Sequence, residues 1–246
     1  MHENHRDRVK QRFLNESLDG FADHEVLEFL LFYAIPQKDT NPTAHLLLEH
    51  FGSLTAVFEA DINQLTEVPG IGHHAATLIK MIPQLARRYI TDGIKSDVAY
   101  DNVTKIGEYL IKRYVGCSVE TVLLMLLDNK YHLIECVKVH EGSVNSAAIS
   151  TRKLAETALF KRASMVVLAH NHPGGTPIPS SDDLYTTQSV LTAFRSLDIN
   201  MIEHILVAGD KYAPLLLSSE RIFHSEAKID RESFYKGIIT EEQSIM

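Results

Sequence analysis

Two rhythms of apolar residues divide the chain. Up to about residue 90, apolar positions recur every three to four residues, as on the buried face of a helix. Residues 23–32 start with Asp23 in a capping position and carry Val26, Leu27, Phe29, Leu30 and Leu31 at that spacing. Asn41-Pro42 opens a second helix with Ala44, Leu47, Leu48 and Phe51 on one face, and Gly52 ends it. Residues 53–60 predict a short helix, and residues 61–79 predict two more joined by Val68-Pro69-Gly70-Ile71-Gly72. Periodicity fades over residues 91–100, where small polar residues gather, so a linker is expected there.

After it the pattern changes. Residues 103–114 are helical by period, and Thr121–Leu127 is a continuous apolar run of the kind that forms a strand buried on both faces. Asp128-Asn129-Lys130 predicts a turn into a partner strand over 131–139. A helix follows over 154–162, a buried strand over 164–169, a helix over 180–197 and a strand over 201–208. Gly209-Asp210 turns into a last edge strand over 211–217. Strands and helices in alternation imply a sheet covered on both faces. The expected organisation is α+β in two domains: an all-α domain at 1–98, an α/β/α domain with a mixed sheet at 99–225, and a polar tail at 226–246.

Composition adds limits. With 246 residues, 45% of them apolar and 23% charged, the chain can bury a sizeable core. The net charge is −8; residues 1–98 hold 9 basic and 14 acidic side chains and residues 99–246 hold 15 and 18. Neither part has the field that drives non-specific DNA binding, so any nucleic-acid contact must be local. Cys117 and Cys136 form no Cys-x-x-Cys pair and sit beside apolar runs, so buried thiols are expected. The first residues lack an apolar signal core, and the most apolar windows, 26–35 and 121–127, are too short to span a bilayer. A soluble cytoplasmic protein without a membrane partner is expected.

Chemistry concentrates in Ala169-His170-Asn171-His172-Pro173-Gly174-Gly175-Thr176-Pro177-Ile178-Pro179-Ser180-Ser181-Asp182-Asp183. On a strand, His170 and His172 point to one side and Asn171 to the other. Three prolines stiffen the loop that follows, and Asp183 falls on the first turn of the next helix, facing back. Two imidazoles and a carboxylate are three ligands for Zn²⁺, with a fourth position left for water. Ser180-x-x-Asp183 is also a capping-box variant, and a cap that fixes the turn would itself present the carboxylate.

His-x-His-Pro followed by Ser-x-x-Asp resembles the JAMM motif of JAB/MPN+ metalloproteases. The fuller His-Asn-His-Pro-x-Gly-x-x-x-Pro-Ser-x-x-Asp resembles the RadC family in particular. The likeness covers nearly the whole chain, including Val68-Pro69-Gly70-Ile71-Gly72 and the Glu203-His204-Ile205-Leu206-Val207 strand. Two departures stand out: Gly174 replaces the usual Ser, and Glu203 the usual Asp. The resemblance implies one Zn²⁺ per chain on His170, His172 and Asp183, with Ser180 steadying an oxyanion or orienting the water. The residues alone leave the general base open among Glu120, Glu135, Glu141 and Glu156; the resemblance places it just before the first strand, at Glu120. The implied activity is hydrolysis of amide bonds in an unknown protein or peptide substrate.

The alternative is a DNA-repair-associated protein, or a metal-dependent nuclease, docking through residues 61–82. That segment resembles a helix-hairpin-helix, in which Gly70, Ile71 and Gly72 would offer backbone N–H groups to a phosphate. A hairpin that only packs is the competing reading. A zinc deaminase is excluded by the lack of Pro-Cys-x-x-Cys, and a zincin by the lack of His-Glu-x-x-His. Substrate identity and oligomeric state are not encoded legibly.

Overall fold

The computed structural model describes residues 2–93, 98–142 and 150–218. The chain divides into two compact units, Met1–Arg88 and Tyr89–Met246. The expected tail at 226–246 and part of the expected linker lie outside the described residues.

The first unit is helical: α1 (His2–Glu16), α2 (Asp23–Ala34), α3 (Asn41–Phe51), α4 (Leu54–Glu59), α5 (Ile62–Glu67) and α6 (His73–Asp92). Ser53 caps α4 by accepting from the Ala56 N–H, and Asp61 with Gln64 forms a reciprocal capping box on α5. Gly52 ends α3 in the left-handed conformation that glycine adopts without a Cβ clash. Leu27, Leu31, Ala44, Leu47, Leu65, Ile71, Ala76 and Ile79 fill the core.

Two expected caps are corrected. Asp23 is the first residue inside α2; the cap position is Ala22, whose N–H is taken by Glu25. Asn41 likewise lies inside α3, after Thr40. The side chains of Thr40 and Asn41 instead reach the backbone oxygen and carboxylate of Glu28, tying α3 to α2. A third correction is length: α6 runs through Pro83 to Asp92, into the stretch expected to be a linker.

The second unit contains α7 (Val103–Tyr114), β1 (Thr121–Leu127), β2 (Leu133–Glu141), α8 (Thr151–Phe160), β3 (Met165–Asn171), α9 (Ser181–Arg195), β4 (Asn200–Ala208), β5 (Lys211–Pro214) and α10 (Leu215–Ser218). The sheet order is β2-β1-β3-β4-β5, with β3 and β4 parallel and the other neighbours antiparallel. Leu123, Met125, Leu127, Val167, Ala169, Ile205 and Val207 pack with α7 on one face. Val122, Leu124, Leu126, Val166, Leu168 and Met201 pack with α8 and α9 on the other. The continuous apolar runs of β1 and β3 are explained by this double coverage.

The turn after β1 is two residues longer than expected. Asp128 accepts from the N–H groups of Lys130 and His132, Tyr131 takes a positive φ, and β2 starts at Leu133. The expected last strand stops at Pro214, and Leu215–Ser218 forms a helical turn. Its Leu216 N–H donates to the buried Glu203 carboxylate, an acceptor that a strand continuation would not use. Cys117 and Cys136 are free and pack against the core on the α7 side, each residue partly exposed and the Cys136 thiol itself enclosed.

Candidate metal centre

β3 ends where its side-chain alternation becomes useful. Asn171 is its last residue, and the His172 N–H continues the pairing by donating to Val207 O at 2.9 Å. His170 and His172 therefore share a side, with ring centroids 5.0 Å apart. Gly174 sits at φ +65°, a conformation in which glycine replaces a serine without strain. The loop then delivers Ser180 as the N-cap of α9 and Asp183 three residues later.

The capping box aims the carboxylate. Ser180 N–H and Ser180 Oγ–H each donate to Asp183 Oδ2 at 2.7 Å, and Ser180 Oγ accepts from Asp183 N–H. Asp183 Oδ1 is left facing His170 Nε2 at 3.0 Å, and Oδ2 lies 3.5 Å from His172 Nε2. One ligand atom from each of the three residues lies within 4.8 Å of the others. His170 Nε2 is buried and makes no aligned hydrogen bond, although the Asp183 oxygen is close. An imidazole nitrogen and a carboxylate oxygen that approach without bonding to each other suit two donors directed at a common third atom. This His-His-Asp set fits a divalent cation of the zinc type.

The electrostatics agree with a ligand role. Burial acts to raise the Asp183 carboxyl, but His170 beside it and the two Ser180 donors outweigh it and hold the group well below the usual carboxylate range. Burial, reinforced by His170, pushes the His204 imidazole well below its ordinary range against a small opposing pull from Asp183.

The other residues singled out in the sequence divide clearly. Glu120 Oε1 lies 4.0 Å from His172 Nε2, at the half-exposed edge of the triangle. The other three glutamates face cations: Glu135 with Lys161, Glu141 with Lys138, and Glu156 with Arg152. The Ser180 hydroxyl proton is directed at Asp183, so in this arrangement the hydroxyl serves the carboxylate. In the hairpin, Gly70 takes φ +94°, and Gly72, His73 and His74 are exposed at the start of α6. The Ile71 side chain is buried and its N–H donates to Val68 O within the turn, so that amide is not directed outward.

Three residues escaped the sequence reading. Asn171 accepts from the Thr121 N–H at 2.7 Å and donates to the carbonyls of Cys117 and Val119, strapping down the segment that carries Glu120. A polar side chain ending a buried strand needs such partners, and that was the available signal. His204 and Thr187 lie beneath His170, with His204 Nε2 2.9 Å from His170 Nδ1 and His204 Nδ1 2.6 Å from Thr187 Oγ1.

A mixed sheet between helices, with a His-x-His strand end and a Ser-x-x-Asp helix start, defines a domain of the JAB/MPN class. The family model described as RadC-like JAB domain matches residues 100–220. A UPF0758 protein of Fusobacterium nucleatum is 31% identical over 219 residues, covering 86% of this chain and 94% of the relative. A UPF0758 protein of Herminiimonas arsenicoxydans is 29% identical over 202 residues, covering 82% and 90%. The chain belongs to the RadC family, whose members here carry the UPF0758 name. No helix among the described residues is long and apolar enough to cross a membrane.

Proposed function

We propose that the chain is a zinc-dependent hydrolase of amide bonds, with one Zn²⁺ held by His170, His172 and Asp183. When bound, such an ion polarises a carbonyl and makes a coordinated water more acidic. The remaining work falls to side chains of the protein. Glu120 takes a proton from the attacking water and returns it to the leaving amine, which a carboxylate beside His172 is placed to do. Asn171 holds Glu120 in register by fixing residues 117–121. Ser180 orients Asp183 through its hydroxyl and backbone N–H; rotation of that hydroxyl away from the carboxylate during turnover would supply a donor to a developing oxyanion. The observation that carries this reading is the placement of Glu120 at the triangle while the three rival glutamates face lysine or arginine.

The test compares zinc-loaded wild type with Glu120→Gln on a mixture of peptide and isopeptide substrates. Bound zinc should be equal in the two, and cleavage should fall about 10²- to 10⁴-fold in the variant, the usual range for loss of a general base. Undiminished cleavage by Glu120→Gln would remove Glu120 from the mechanism.

A second reading keeps DNA as the partner. It is favoured by the exposed start of α6, where Gly72 has no side chain to fold over the helix amides. Salt-dependent duplex binding that is lost in Gly72→Pro, together with zinc-dependent cleavage of DNA and not of peptides, would establish it.

A further inference from the structure

A chain of short contacts runs beneath the metal triangle. Thr187 Oγ1 lies 2.6 Å from the backbone oxygen of Asp183. It also lies 2.6 Å from His204 Nδ1, and His204 Nε2 lies 2.9 Å from His170 Nδ1. Thr187 is fully buried, and His170, His204 and Asp183 are at most 2% exposed, so water does not supply missing partners. Each separation needs a proton between its two atoms.

Proton positions follow in sequence from the carbonyl end. The Asp183 peptide oxygen carries no proton, so the Thr187 hydroxyl must donate to it. That hydroxyl has one proton, so toward His204 it can only accept, and His204 Nδ1 must carry the hydrogen. His204, buried with no carboxylate bonded to its ring, is neutral and presents a lone pair at Nε2, so His170 Nδ1 must be the donor. With Nδ1 committed to His204, the His170 nitrogen left for a metal is Nε2, the atom that faces Asp183 Oδ1. We propose that Thr187 and His204 are positioning residues that lock His170 in the Nδ1–H tautomer and so keep its Nε2 lone pair directed into the metal triangle.

The backbone places His204 for this purpose. Across the β3–β4 pairing, Val166 faces Met201 but Val167 faces Glu203, leaving Ile202 as an extra residue in a bulge. Met201 packs on the α9 side of the sheet. Strict alternation would send the residue three further on to the opposite face, whereas the bulge returns His204 to the side of His170 and Thr187. Thr187 in turn stands one helical turn after Asp183 on α9. The relay starts on one proposed ligand and ends on another.

The inference rests on the metal reading for its consequence but can be read without metal. The experiment uses the full chain, with imidazole tautomers assigned from long-range ¹H–¹⁵N correlations of the metal-free protein and zinc affinity from chelator competition. Wild type should show hydrogen on His170 Nδ1. In Thr187→Val, His204 loses its acceptor and turns to the Nε2–H form, which donates to His170 Nδ1. His170 should then shift toward Nε2–H, with zinc affinity lower by about 10- to 100-fold, the usual effect of losing a ligand's supporting partner. Thr187→Ser should keep the wild-type tautomer and affinity, a rescue that a packing role alone would not give. A switch of tautomer without zinc binding in either protein would support the relay and overturn the metal reading. A folded Thr187→Val with unchanged tautomer and affinity would overturn the relay. If Thr187→Val fails to fold, the wild-type spectrum decides, because His170 found as Nε2–H contradicts the proton order.

Discussion

Each unit of this protein brings two neighbouring histidines to the start of a helix, with opposite results. In the helical unit, His73 and His74 follow Gly72 as the first residues of α6 and are exposed. Consecutive residues on a helix diverge by about 100°, so the two rings cannot converge on one point. In the sheet unit, His170 and His172 are two apart on an extended chain and do converge, and α9 begins with a cap whose third residue is a buried carboxylate. Residue type alone does not make a site. Period, burial and a partnered second nitrogen separate a surface histidine from a ligand.

The sharpest way to break this contrast is to remove the carboxylate. Asp183→Ala should weaken zinc binding by at least about 100-fold and abolish zinc-induced thermal stabilisation, whereas His73→Ala with His74→Ala should change neither. Equal losses in both would show that metal binds through the exposed pair.

Asn171 tests whether the support around the triangle matters separately from the ligands. Asn171→Ala removes three hydrogen bonds to residues 117–121 and leaves the buried Thr121 N–H without its acceptor. A stability loss of about 2–4 kcal/mol is expected by denaturant unfolding, with zinc affinity nearly unchanged and hydrolysis reduced. In the helical unit the corresponding weak point is Gly70. A Cβ there would lie 2.9 Å from Thr43 Oγ1 at φ +94°. Gly70→Ala should therefore destabilise that unit by about 1–2 kcal/mol, read by thermal melting, and leave zinc affinity alone.

The smallest expected effect is on pH dependence. The folded-state pKa of His204 is depressed, so the unfolded chain binds the proton more readily. Stability of the metal-free protein should therefore fall as pH drops below about 6.5, where the unfolded imidazole begins to charge. His204→Gln should flatten that part of the profile. Asp183 acts further down: its depressed carboxyl contributes stability that is present above about pH 4 and lost below it.

Much of this was legible in the chain. The run Thr121–Leu127 and the helix Val103–Tyr114 fall where the apolar pattern put them, because full burial and a helical stripe leave strong signals. The convergence of His170, His172 and Asp183 was readable from period two and a capping box. Glu120 was not: a glutamate at a strand entrance carries no periodic signal, and only the family resemblance singled it out. His204 was hidden for a different reason. Its side of the sheet depends on one extra residue at Ile202, and a strand buried on both faces has no alternation to show where a bulge falls. Likewise Asn171 looked like the idle member of His-x-His, although its partners come from about fifty positions earlier, across the β1–β3 pairing.

The function proposed for this chain requires metal held by the strand-end histidines. Purified full-length protein, exposed to zinc and dialysed, should retain one zinc per chain by elemental analysis, and folded His172→Ala should retain little. Equal zinc in the two proteins, or none in the wild type, would contradict it.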